Sequence, residues 1–473
     1  MDQTDVAIIG CGPVGAMLAN LLGLQGCGAV VLEREAAILD LPRAVHLDGE
    51  IMRLLQTAGL AEPMRPLMQL APGSQYVDAA GKLLLEWPRP PGICAQGWHA
   101  GYRFHQPDLE RVLRDGLRRW PGVALRTRAE VQSLERNGDW VDLHYQDLAS
   151  GDLRPLRARF AVGCDGAQSL LRRIIGGAME DLGFEQRWLA VDARLRRLVP
   201  GLGDDSVQYC DRQRPATYIR GTGDRRRWEI ALLPEDGSDT GPAAVFRLLE
   251  RWVGPEDIEI ERAAVYTFRA AIASRWRAGK LLIAGDAAHL TPPFLGQGLC
   301  AGLRDAGNLA WKLGRVLHGQ DGASLLDTYQ SEREPHVREY IEGAVRLGAL
   351  INARTTEFTR IEPIEPRLGP GLCGGLPEPR GRVAPQPVVD GGTGLDDRIG
   401  YRFAAVARSG FAGSLPPDLH AMLAERDVAL VADPAYGPWL EDIGAEAVLV
   451  RPDRYVFGAA HDAGEMRALV AAL

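Results

Sequence analysis

The chain has 473 residues, which predicts about three domains, and a formal net charge of −8, which implies no basic face for nucleic acid. The seven cysteines form neither a C-x-x-C pair nor a His/Cys cluster at zinc spacing, so we expect reduced thiols in a cytoplasmic protein and no bound metal. The apolar stretches are interrupted by Gly, Asn or charge, and the first residues lack the basic segment of a signal peptide, so we expect no membrane span or membrane partner.

The first predicted elements are a strand at residues 6–9, a tight turn and a helix. The turn carries three glycines at the spacing G-x-G-x-x-G, namely Gly10, Gly12 and Gly15. Such glycines permit the turn, the approach of a pyrophosphate and close packing of helix and strand, while the helix N-terminus presents free N–H groups. A second strand ends at Glu33, 23 residues after Gly10, where a carboxylate binds an adenosine ribose. The set predicts dinucleotide binding, although the glycines alone would also suit a strand turn in any α/β protein.

Further along, the chain alternates between α/β segments and short strands. Pro and Gly with short alternating runs at 66–98 predict a small hairpin excursion. Alternating runs across 181–270 predict an antiparallel sheet that covers the nucleotide-binding domain. A buried strand at 280–284 then leads into a Gly-Asp turn and two long helices. After a Pro- and Gly-rich linker, residues 385–473 read as a third, small α/β domain.

Two further motifs follow the nucleotide-binding turn. They are Cys164-Asp165-Gly166 and Gly285-Asp286-Ala287-Ala288-His289. In this order the three motifs closely resemble the single-component, class A flavoprotein aromatic hydroxylases, whose archetype is para-hydroxybenzoate hydroxylase, over about residues 5–350. Pro42-Arg43-Ala44 and Gly296-Gln297-Gly298 are similar to the branch that contains 3-(3-hydroxyphenyl)propionate hydroxylase and the polyketide hydroxylases.

The resemblance implies the fold class. It is an α/β fold with a Rossmann-like FAD-binding domain, an inserted antiparallel-sheet substrate domain and a small C-terminal thioredoxin-like α/β domain, which Val450-Arg451-Pro452-Asp453 resembles in particular. No cysteine lies in 385–473, which excludes thiol redox chemistry there. The predicted boundaries are 1–72, 99–180 and 271–361 for the FAD-binding domain, 73–98 and 181–270 for the substrate domain, 362–384 for the linker and 385–473 for the thioredoxin-like domain.

The resemblance also implies, residue by residue, which positions contact FAD. At the adenosine and pyrophosphate end these are Gly10, Gly12, Pro13, Gly15, Glu33 and Arg34. Arg43 and Gln106 would approach the flavin and its ribityl-phosphate chain, and Asp286 would accept hydrogen bonds from the ribityl hydroxyls. Asp165 would serve both FAD and the nicotinamide cofactor, although it would also suit a turn.

At the flavin ring, the resemblance implies contacts from a loop and the helix that follows it. Pro292 and Pro293 would open the loop beside the flavin. Gly298, Leu299 and Cys300 would direct backbone N–H groups at the pyrimidine edge, where they stabilise negative charge on the reduced flavin. The family usually has Asn at the position of Cys300, so one side-chain contact differs here.

The reaction implied by the resemblance is the hydroxylation of a phenol. NADH or NADPH would reduce FAD, and the reduced flavin would form a C4a-hydroperoxide with O₂ and transfer its distal OH to an electron-rich ring. Such a site must be dry and must accept the phenol's proton. No second G-x-G-x-x-G follows, so we expect the nicotinamide cofactor to dock transiently. The expected partners are a small phenol and O₂, and a homodimer is left open.

Candidate catalytic and substrate-binding residues follow from the same comparison. His46 and Asp48 come just after Arg43 in the segment that passes the flavin, and Pro292 lies in the opposite loop, so these four are the catalytic candidates. His46 is the best acid/base candidate, because imidazole titrates near neutrality, although histidines are common in cores and at surfaces without such a role. His46, Tyr209, Tyr218, Arg220 and Trp228 are the substrate-binding candidates, of which the last four lie on predicted covering strands and would also suit a core or a surface.

Two other functions are considered. A halogenase, epoxidase or oxidase on the same fold is one, although the W-x-W-x-I-P motif of halogenases is absent from the sequence. A nucleotide-binding protein without catalysis, or a chaperone for prenylated proteins on a similar fold, is the other, and it does not explain the intact loop at 292–298. Consumption of NADH or NADPH in the presence of phenols separates these classes.

Overall fold

A computed structural model describes residues 1–40, 42–352, 364–372, 379–387 and 394–473. The strands form two eight-stranded sheets, one three-stranded sheet and one four-stranded sheet. The α-helices in this part of the chain are Pro13–Leu24, Gly49–Thr57, Ala61–Met64, Gln106–Leu117, Leu170–Ile175, Pro242–Leu249, Gly298–Leu317, Thr328–Ile351, Leu395–Ile399, Ser409–Ser414, Pro417–Glu425, Gly437–Asp442 and Ala463–Ala471. None of these helices is long and apolar enough to cross a membrane.

The first eight-stranded sheet, named here the nucleotide sheet, is mostly parallel. Its five parallel strands lie in the order Leu281–Ile283, Leu153–Gly163, Asp2–Ile9, Ala29–Glu33 and Val123–Thr127. Its antiparallel strands are Arg277–Ala278, Trp140–Asp147 and Ala129–Asn137. Val6, Ala7 and Ile8 are fully buried, as a parallel strand covered on both faces requires. The strand and helix predicted around the first glycine turn are confirmed.

The second eight-stranded sheet, named here the cover sheet, is mostly antiparallel. Its strands lie in the order His289–Leu290, Ile258–Ala273, Met179–Leu195, Arg225–Ala231, Ala216–Arg220, Ser206–Cys210, Gly73–Asp78 and Leu83–Pro88. One pair is parallel, Ser206–Cys210 with Gly73–Asp78, and it joins the predicted hairpin to the predicted sheet. The three-stranded sheet flanks this hairpin in sequence. Its strands His46–Asp48 and Gln69–Leu70 precede the hairpin, and Gly101–Arg103, which pairs with both, follows it. The antiparallel sheet predicted across 181–270 is confirmed.

The C-terminal unit holds a small mixed sheet. Its strands lie in the order Ala429–Val431, Ala404–Ala407, Ala447–Val450 and Val456–Ala460, of which only the first pair is parallel. Trp311 of the helix Gly298–Leu317 enters the apolar cluster of this unit, with its ring centroid 5.5 Å from that of Phe403. Of the predicted linker at 362–384, residues 362–363 and 373–378 lie outside the described residues.

A buried cluster of charges ties the C-terminal unit to the two long helices. Glu332 of the helix Thr328–Ile351 accepts hydrogen bonds from Arg451 at 2.8 Å, from Lys312 at 2.7 Å and from Asn308 at 3.0 Å. Arg451 also pairs with Asp453 at 2.7 Å. Buried charges persist only when they are paired in this way. The Val450-Arg451-Pro452-Asp453 motif therefore fastens the C-terminal unit to the helices behind the nucleotide sheet.

Candidate active site

The three sequence motifs meet at one edge of the nucleotide sheet. Ile9 pairs with Gly163, and Gly163 pairs with Ile283, so these neighbouring parallel strands end side by side. Gly10, Asp165 and Asp286 follow those strand ends along the chain. Ligands of open α/β sheets bind outside the carboxyl ends of the strands, so the motifs lie where a cofactor would bind.

The glycine turn leaves space above the helix Pro13–Leu24. Gly10 has φ +96°, and a Cβ there would lie 2.5 Å from the carbonyl oxygen of Cys164, so only glycine fits. A Cβ on Gly15 would collide with the carbonyl oxygen of Gly10. By contrast, a Cβ on Gly12 would meet no described atom within 4 Å. Gly12 caps the helix, so this open position faces unpaired helical N–H groups and suits a phosphate.

Glu33 is held at the end of the second strand. Its Oε2 accepts a hydrogen bond from the Cys11 N–H at 2.7 Å, and its Oε1 accepts one from the Glu35 N–H at 2.9 Å. Each carboxylate oxygen keeps a second lone pair for a diol. Arg34 is exposed and forms an ion pair with Glu35 at 3.1 Å. The carboxylate is thus fixed in place beside the glycine turn.

The Pro42–Arg43 segment is held from two sides. The Gln106 side-chain oxygen accepts hydrogen bonds from the Ala44 N–H at 2.7 Å and the Arg43 N–H at 3.3 Å. Arg227 of the cover sheet donates to the carbonyl oxygens of Pro42 and Arg43. The Arg43 side chain itself is exposed. Gln106 therefore positions backbone here, a role that no local sequence signal indicates.

The two aspartates of the second and third motifs differ in their surroundings. Asp165 Oδ2 accepts hydrogen bonds from the Leu170 N–H at 2.7 Å and the Leu171 N–H at 3.3 Å. Its other oxygen, Oδ1, is buried and has no hydrogen-bond partner among the described residues. The Asp286 side chain is exposed on a single helical turn, Gly285–Ala287. Both carboxylates therefore keep an oxygen free for a ligand.

A loop and a helix N-terminus complete this edge. Pro293–Leu295 forms one turn of 3₁₀ helix, and Gly296 follows with φ +65°. The helix Gly298–Leu317 begins next, with its first intrahelical bond from the Ala301 N–H to the Gln297 carbonyl oxygen at 2.8 Å. The amides of Gly298, Leu299 and Cys300 precede that bond and have no acceptor within the helix. They form a donor set for a negatively charged ring edge.

Cys300 packs against the strand that carries His46. Its Sγ lies 3.8 Å from the His46 carbonyl oxygen and 3.9 Å from that of Gly296. The side chain is buried, and burial raises the pKa of the Cys300 thiol well above its usual range. The thiol therefore stays protonated, and it links the loop to the strand at the place where the family usually has Asn.

A cavity of about 90 Å³ lies between this loop and the cover sheet. Its walls come from the strand His46–Asp48, the loop at 293–296 and five strands of the cover sheet. The polar side chains that line it include His46, Arg89, Arg103, Gln208, Thr217 and Glu229. The cavity is the one place where residues of all three segments meet, so it is the candidate substrate site in the described part of the chain.

His46 faces this cavity as a neutral imidazole. Its Nε2 is buried and has no hydrogen-bond partner among the described residues. Burial lowers the pKa of His46 to about 4, and the nearby Arg89 and Arg304 guanidinium groups lower it further than the Asp48 carboxylate raises it. At neutral pH the ring therefore offers a free nitrogen without a charge.

Asp48, one of the predicted catalytic groups, is engaged in structural contacts. Its Oδ1 accepts a hydrogen bond from the Ile51 N–H at 3.0 Å and so caps the helix Gly49–Thr57. Its Oδ2 accepts one from Arg304 at 2.6 Å. Burial would raise the pKa of Asp48, but the nearby Arg304 and His46 and the hydrogen bonds from Arg304 and Ile51 together outweigh it, so the pKa lies below its usual range. Asp48 is therefore a fixed anion that anchors Arg304.

The predicted aromatic residues of the cover sheet lie on the face away from the cavity. Tyr218 and Trp228 are buried in an apolar cluster beneath the helix Pro242–Leu249. Tyr209 packs against Trp252, with ring centroids 5.1 Å apart. Successive residues of a strand face opposite sides of the sheet. The aromatic pocket predicted from these residues is therefore not formed, and their sequence neighbours line the cavity instead.

Arg220 lies outside the cavity. It pairs with Asp204 at 3.1 Å and lines an open groove of about 640 Å³. Arg89 and Arg103 line both this groove and the cavity, so the groove and the cavity are adjacent at these two side chains. Arg220 is thus placed at the entrance and not against a bound ring.

The sequence reasoning missed the polar residues that do line the cavity. Arg89 lies on the hairpin excursion, and its guanidinium makes no hydrogen bond or ion pair to any described residue. Thr217 and Glu229 face each other across neighbouring strands, and Thr217 donates to Gln208 at 2.5 Å. Their alternation with Tyr218 and Trp228 along the strands indicates that the two sets lie on opposite faces of the sheet, but it does not indicate which face lines the cavity.

The arrangement at this edge fits FAD. The space above Gly12 suits a pyrophosphate, Glu33 suits a ribose, and the exposed Asp286 suits ribityl hydroxyls. Asp165 Oδ1 is a buried acceptor without a hydrogen-bond partner among the described residues, and it can accept a hydrogen bond from a bound cofactor. Fold and site together define a flavin-binding oxidoreductase.

Comparison with known proteins gives the family. A model described as "FAD binding domain" matches residues 3–344. The "Probable NADH-specific resorcinol 4-hydroxylase" of Rhodococcus jostii (strain RHA1) is 38% identical over 98% of this chain and 93% of that protein. The "3-(3-hydroxy-phenyl)propionate/3-hydroxycinnamic acid hydroxylase" of Burkholderia cenocepacia (strain HI2424) is 35% identical over 100% of this chain and 96% of that protein. The solved structure of the flavin-dependent monooxygenase PieE has a TM-score of 0.86 and covers 99% of this chain and 98% of that one. Its sequence identity is 21%, so the likeness shows the fold alone.

The chain belongs to this family, the single-component class A flavoprotein aromatic hydroxylases, and FAD is its cofactor. The resemblance read from the three sequence motifs is confirmed. The expected enzyme class, a flavoprotein monooxygenase that acts on aromatic rings, is confirmed by the same matches.

Proposed function

We propose that the chain hydroxylates a small phenol held in the cavity, with O₂ and NADH or NADPH as co-substrates. The single observation that carries this proposal is the cavity itself. It joins an uncharged His46 nitrogen, the loop that leads to the unpaired amides at 298–300, and a polar wall of the cover sheet. A phenol needs such a partner for its hydroxyl and a ring edge facing the cofactor.

The proposed FAD contacts keep the roles drawn from the family resemblance. Gly10, Gly12, Pro13 and Gly15 hold the pyrophosphate, Glu33 the ribose, and Arg34 lies beside the adenine. Arg43, Gln106, Asp165, Asp286 and Pro293 hold the ribityl-phosphate chain and the ring, with the amides of Gly298, Leu299 and Cys300 at its pyrimidine edge. When bound, FAD supplies electron transfer from the nicotinamide and the activation of O₂.

The protein's own part in this reaction is to position the phenol and exclude water. We assign His46 to form a hydrogen bond with the phenol oxygen, because its Nε2 is buried, neutral and unpartnered. Pro292 and Pro293 shape the opposite wall without N–H groups that would hold water. Arg43 places a positive charge near the cofactor. Asp48 acts through Arg304 and not on the substrate.

The substrate class that suits the cavity is a phenol with a second, acidic group. Arg89 and Arg103 stand where the cavity meets the groove, and the Arg89 guanidinium lacks a hydrogen-bond partner among the described residues. A guanidinium binds a carboxylate in two-point geometry. The propionate named for the Burkholderia relative carries such a group, and the resorcinol named for the Rhodococcus relative does not. The latter name also favours NADH over NADPH.

The remaining features of the proposal concern the whole molecule. The FAD-binding domain is proposed to comprise residues 1–72, 99–180 and 271–361. The substrate domain comprises 73–98 and 181–270, and the C-terminal domain comprises 385–473. The C-terminal unit is proposed to be thioredoxin-like, because two parallel strands lie beside an antiparallel pair in its sheet. Unpaired cysteines among the described residues support a cytoplasmic location. A homodimer is the proposed assembly state, which light scattering tests.

The experiment uses the purified holoenzyme. We expect a yellow protein that releases intact FAD on acid treatment. A phenol that fits should accelerate NADH oxidation and yield one hydroxylated product per NADH consumed. Resorcinol and 3-(3-hydroxyphenyl)propionate are the first probes, followed by hydroxybenzoates and polycyclic phenols. NADH oxidation that no phenol accelerates, or that yields only hydrogen peroxide with every phenol, contradicts the proposal.

A further inference from the structure

Glu229 stands out among the side chains that line the cavity. It is the one carboxylate on the cavity wall within the described residues, and it is 5% exposed. It lies on the strand Arg225–Ala231, opposite Thr217 in the neighbouring strand. A buried carboxylate is costly unless it is paired or serves a purpose. Its surroundings therefore decide what it can do.

The charged neighbours of Glu229 are already engaged with other groups. Arg227 forms a long ion pair with it at 3.8 Å, a distance too great for a hydrogen bond. Arg227 is instead bonded to Asp192 at 2.7 Å and to the backbone of Pro42 and Arg43. Among the described residues, no side chain or backbone group makes a hydrogen bond to the Glu229 carboxylate. It faces the cavity as a free acceptor.

The other titratable and charged groups around Glu229 come from every wall of the cavity. Asp192 and Arg262 lie on other strands of the cover sheet. The rest are cavity residues outside that sheet, namely His46 of the strand His46–Asp48, Arg89 after the hairpin, and Arg103 of the strand Gly101–Arg103. Thr217 and Gln208 are neutral and hydrogen-bonded to each other. Burial raises the pKa of Glu229 to about 6, since it outweighs the Arg227 charge, and Asp192 raises it slightly more.

We propose that Glu229 is a catalytic base that takes the proton from the phenol hydroxyl during hydroxylation. This inference rests on the proposed function. In the step, the phenol O–H bond breaks, an O–H bond forms on the Glu229 carboxylate, and the electron pair of the broken bond stays on the phenolate oxygen. No oxidation or reduction accompanies it. The ring gains electron density as the oxygen atom is delivered, and the proton returns to the product oxygen afterwards.

Glu229 suits this task better than His46. A base works best when its pKa lies near the operating pH. His46, with a pKa of about 4, is a much weaker base than a carboxylate with a pKa of about 6. The two side chains line the same small cavity. The phenol hydroxyl has a single proton, which Glu229 takes, while the neutral His46 ring donates a hydrogen bond from its Nε2–H tautomer to the phenol oxygen.

The test compares the parent holoenzyme with Glu229→Gln, Glu229→Asp and Thr217→Val. We expect Glu229→Gln to retain FAD, to be reduced by NADH, and to hydroxylate roughly 10²–10⁴-fold more slowly, with the lost turnover appearing as hydrogen peroxide. The acid limb of the parent's pH–rate profile near pH 6 should disappear. Glu229→Asp should keep that limb at a reduced rate. Thr217→Val should change KM for the phenol and keep the limb.

An infrared titration supplies a second readout that needs no substrate. The parent should gain a protonated-carboxyl stretch as the pH falls through about 6, and Glu229→Gln should lack that band. A parent without an acid limb or a titrating carboxyl overturns the inference, even if a variant fails to fold. So does a Glu229→Gln enzyme with the parent's rate and profile. Failure of the parent to hydroxylate any phenol instead overturns the proposed function, and with it this inference.

Discussion

The hydroxyl of Tyr455 donates a hydrogen bond to Oε1 of Glu50 at 2.7 Å. The other oxygen of Glu50 accepts one from Arg304 at 2.6 Å. Arg304 in turn donates to Asp48 at 2.6 Å and to the side chain of Gln297 at 3.1 Å. A tyrosine of the C-terminal unit thus holds, through one carboxylate, the arginine that joins the two segments flanking the cavity. The C-terminal unit, which has no cysteine in residues 385–473, therefore contacts the site through a hydrogen-bonded chain of side chains.

Removing this hydroxyl should weaken the fold measurably. We expect Tyr455→Phe to lower the free energy of unfolding by about 1–3 kcal/mol, because Glu50 and His336 both lose a buried partner. Urea unfolding of the holoenzyme measures the change. Tyr436→Phe is the matched control, since Tyr436 is equally buried in the same unit and its hydroxyl has no partner among the described residues. A cost of Tyr436→Phe that equals that of Tyr455→Phe would contradict this role.

The buried charge cluster should be far more sensitive than an exposed ion pair. Arg451→Met leaves the fully buried Glu332 with fewer partners, and breaking such a pair costs about 3–5 kcal/mol. Arg467→Met removes an exposed pair with Asp418 and should cost at most about 1 kcal/mol. Denaturant midpoints of the two variants give the comparison. Equal losses in the two variants would show that the cluster does not fasten the C-terminal unit.

His46 should make the protein less stable in acid. Its pKa is about 4 in the folded chain, whereas the ordinary value is 6.5. Between these values the unfolded chain binds a proton that the folded chain does not, so the free energy of unfolding falls as the pH drops. His46→Asn should flatten this dependence between about pH 6.5 and 4. Identical slopes in the parent and the variant would rule out a buried neutral His46.

Arg89 should set the preference for acidic phenols. Arg89→Met removes a charge-assisted hydrogen bond, and we expect KM for 3-(3-hydroxyphenyl)propionate to rise about 10- to 100-fold. KM for resorcinol should change little, because that phenol carries no carboxylate. Arg251→Met is the control, since Arg251 lies over Tyr209 at 4.6 Å on the opposite face of the cover sheet. Equal effects of Arg89→Met on both substrates would place the acidic group elsewhere.

Local sequence patterns were sufficient for the cofactor edge. The three motifs each lie within a few residues of a buried strand, so the glycine turn and Glu33 could be predicted from spacing, and Asp286 from the family resemblance. The parallel arrangement of their strands then brings them together without further information. The order of elements along the chain also predicted the antiparallel cover sheet and the C-terminal unit.

The substrate side could not be read in the same way, because its determinants are distant in sequence. Both faces of the cover sheet are buried, so alternation alone does not say whether Tyr218 or Thr217 faces the cavity. The role of Asp48 depends on Arg304, which lies 256 residues away. Glu229 carries no motif, and only its position opposite the loop at 293–296 marks it.

The most direct test of the central claim is where the oxygen atom of the product comes from. Purified holoenzyme is supplied with NADH and a phenol under oxygen-18 gas, and the product is analysed by mass spectrometry. Hydroxylation within the cavity should place one labelled oxygen atom in each product molecule, with one NADH consumed for each. A hydroxylated product whose new oxygen comes from water, or NADH oxidation that yields only hydrogen peroxide across the phenol panel, would contradict it.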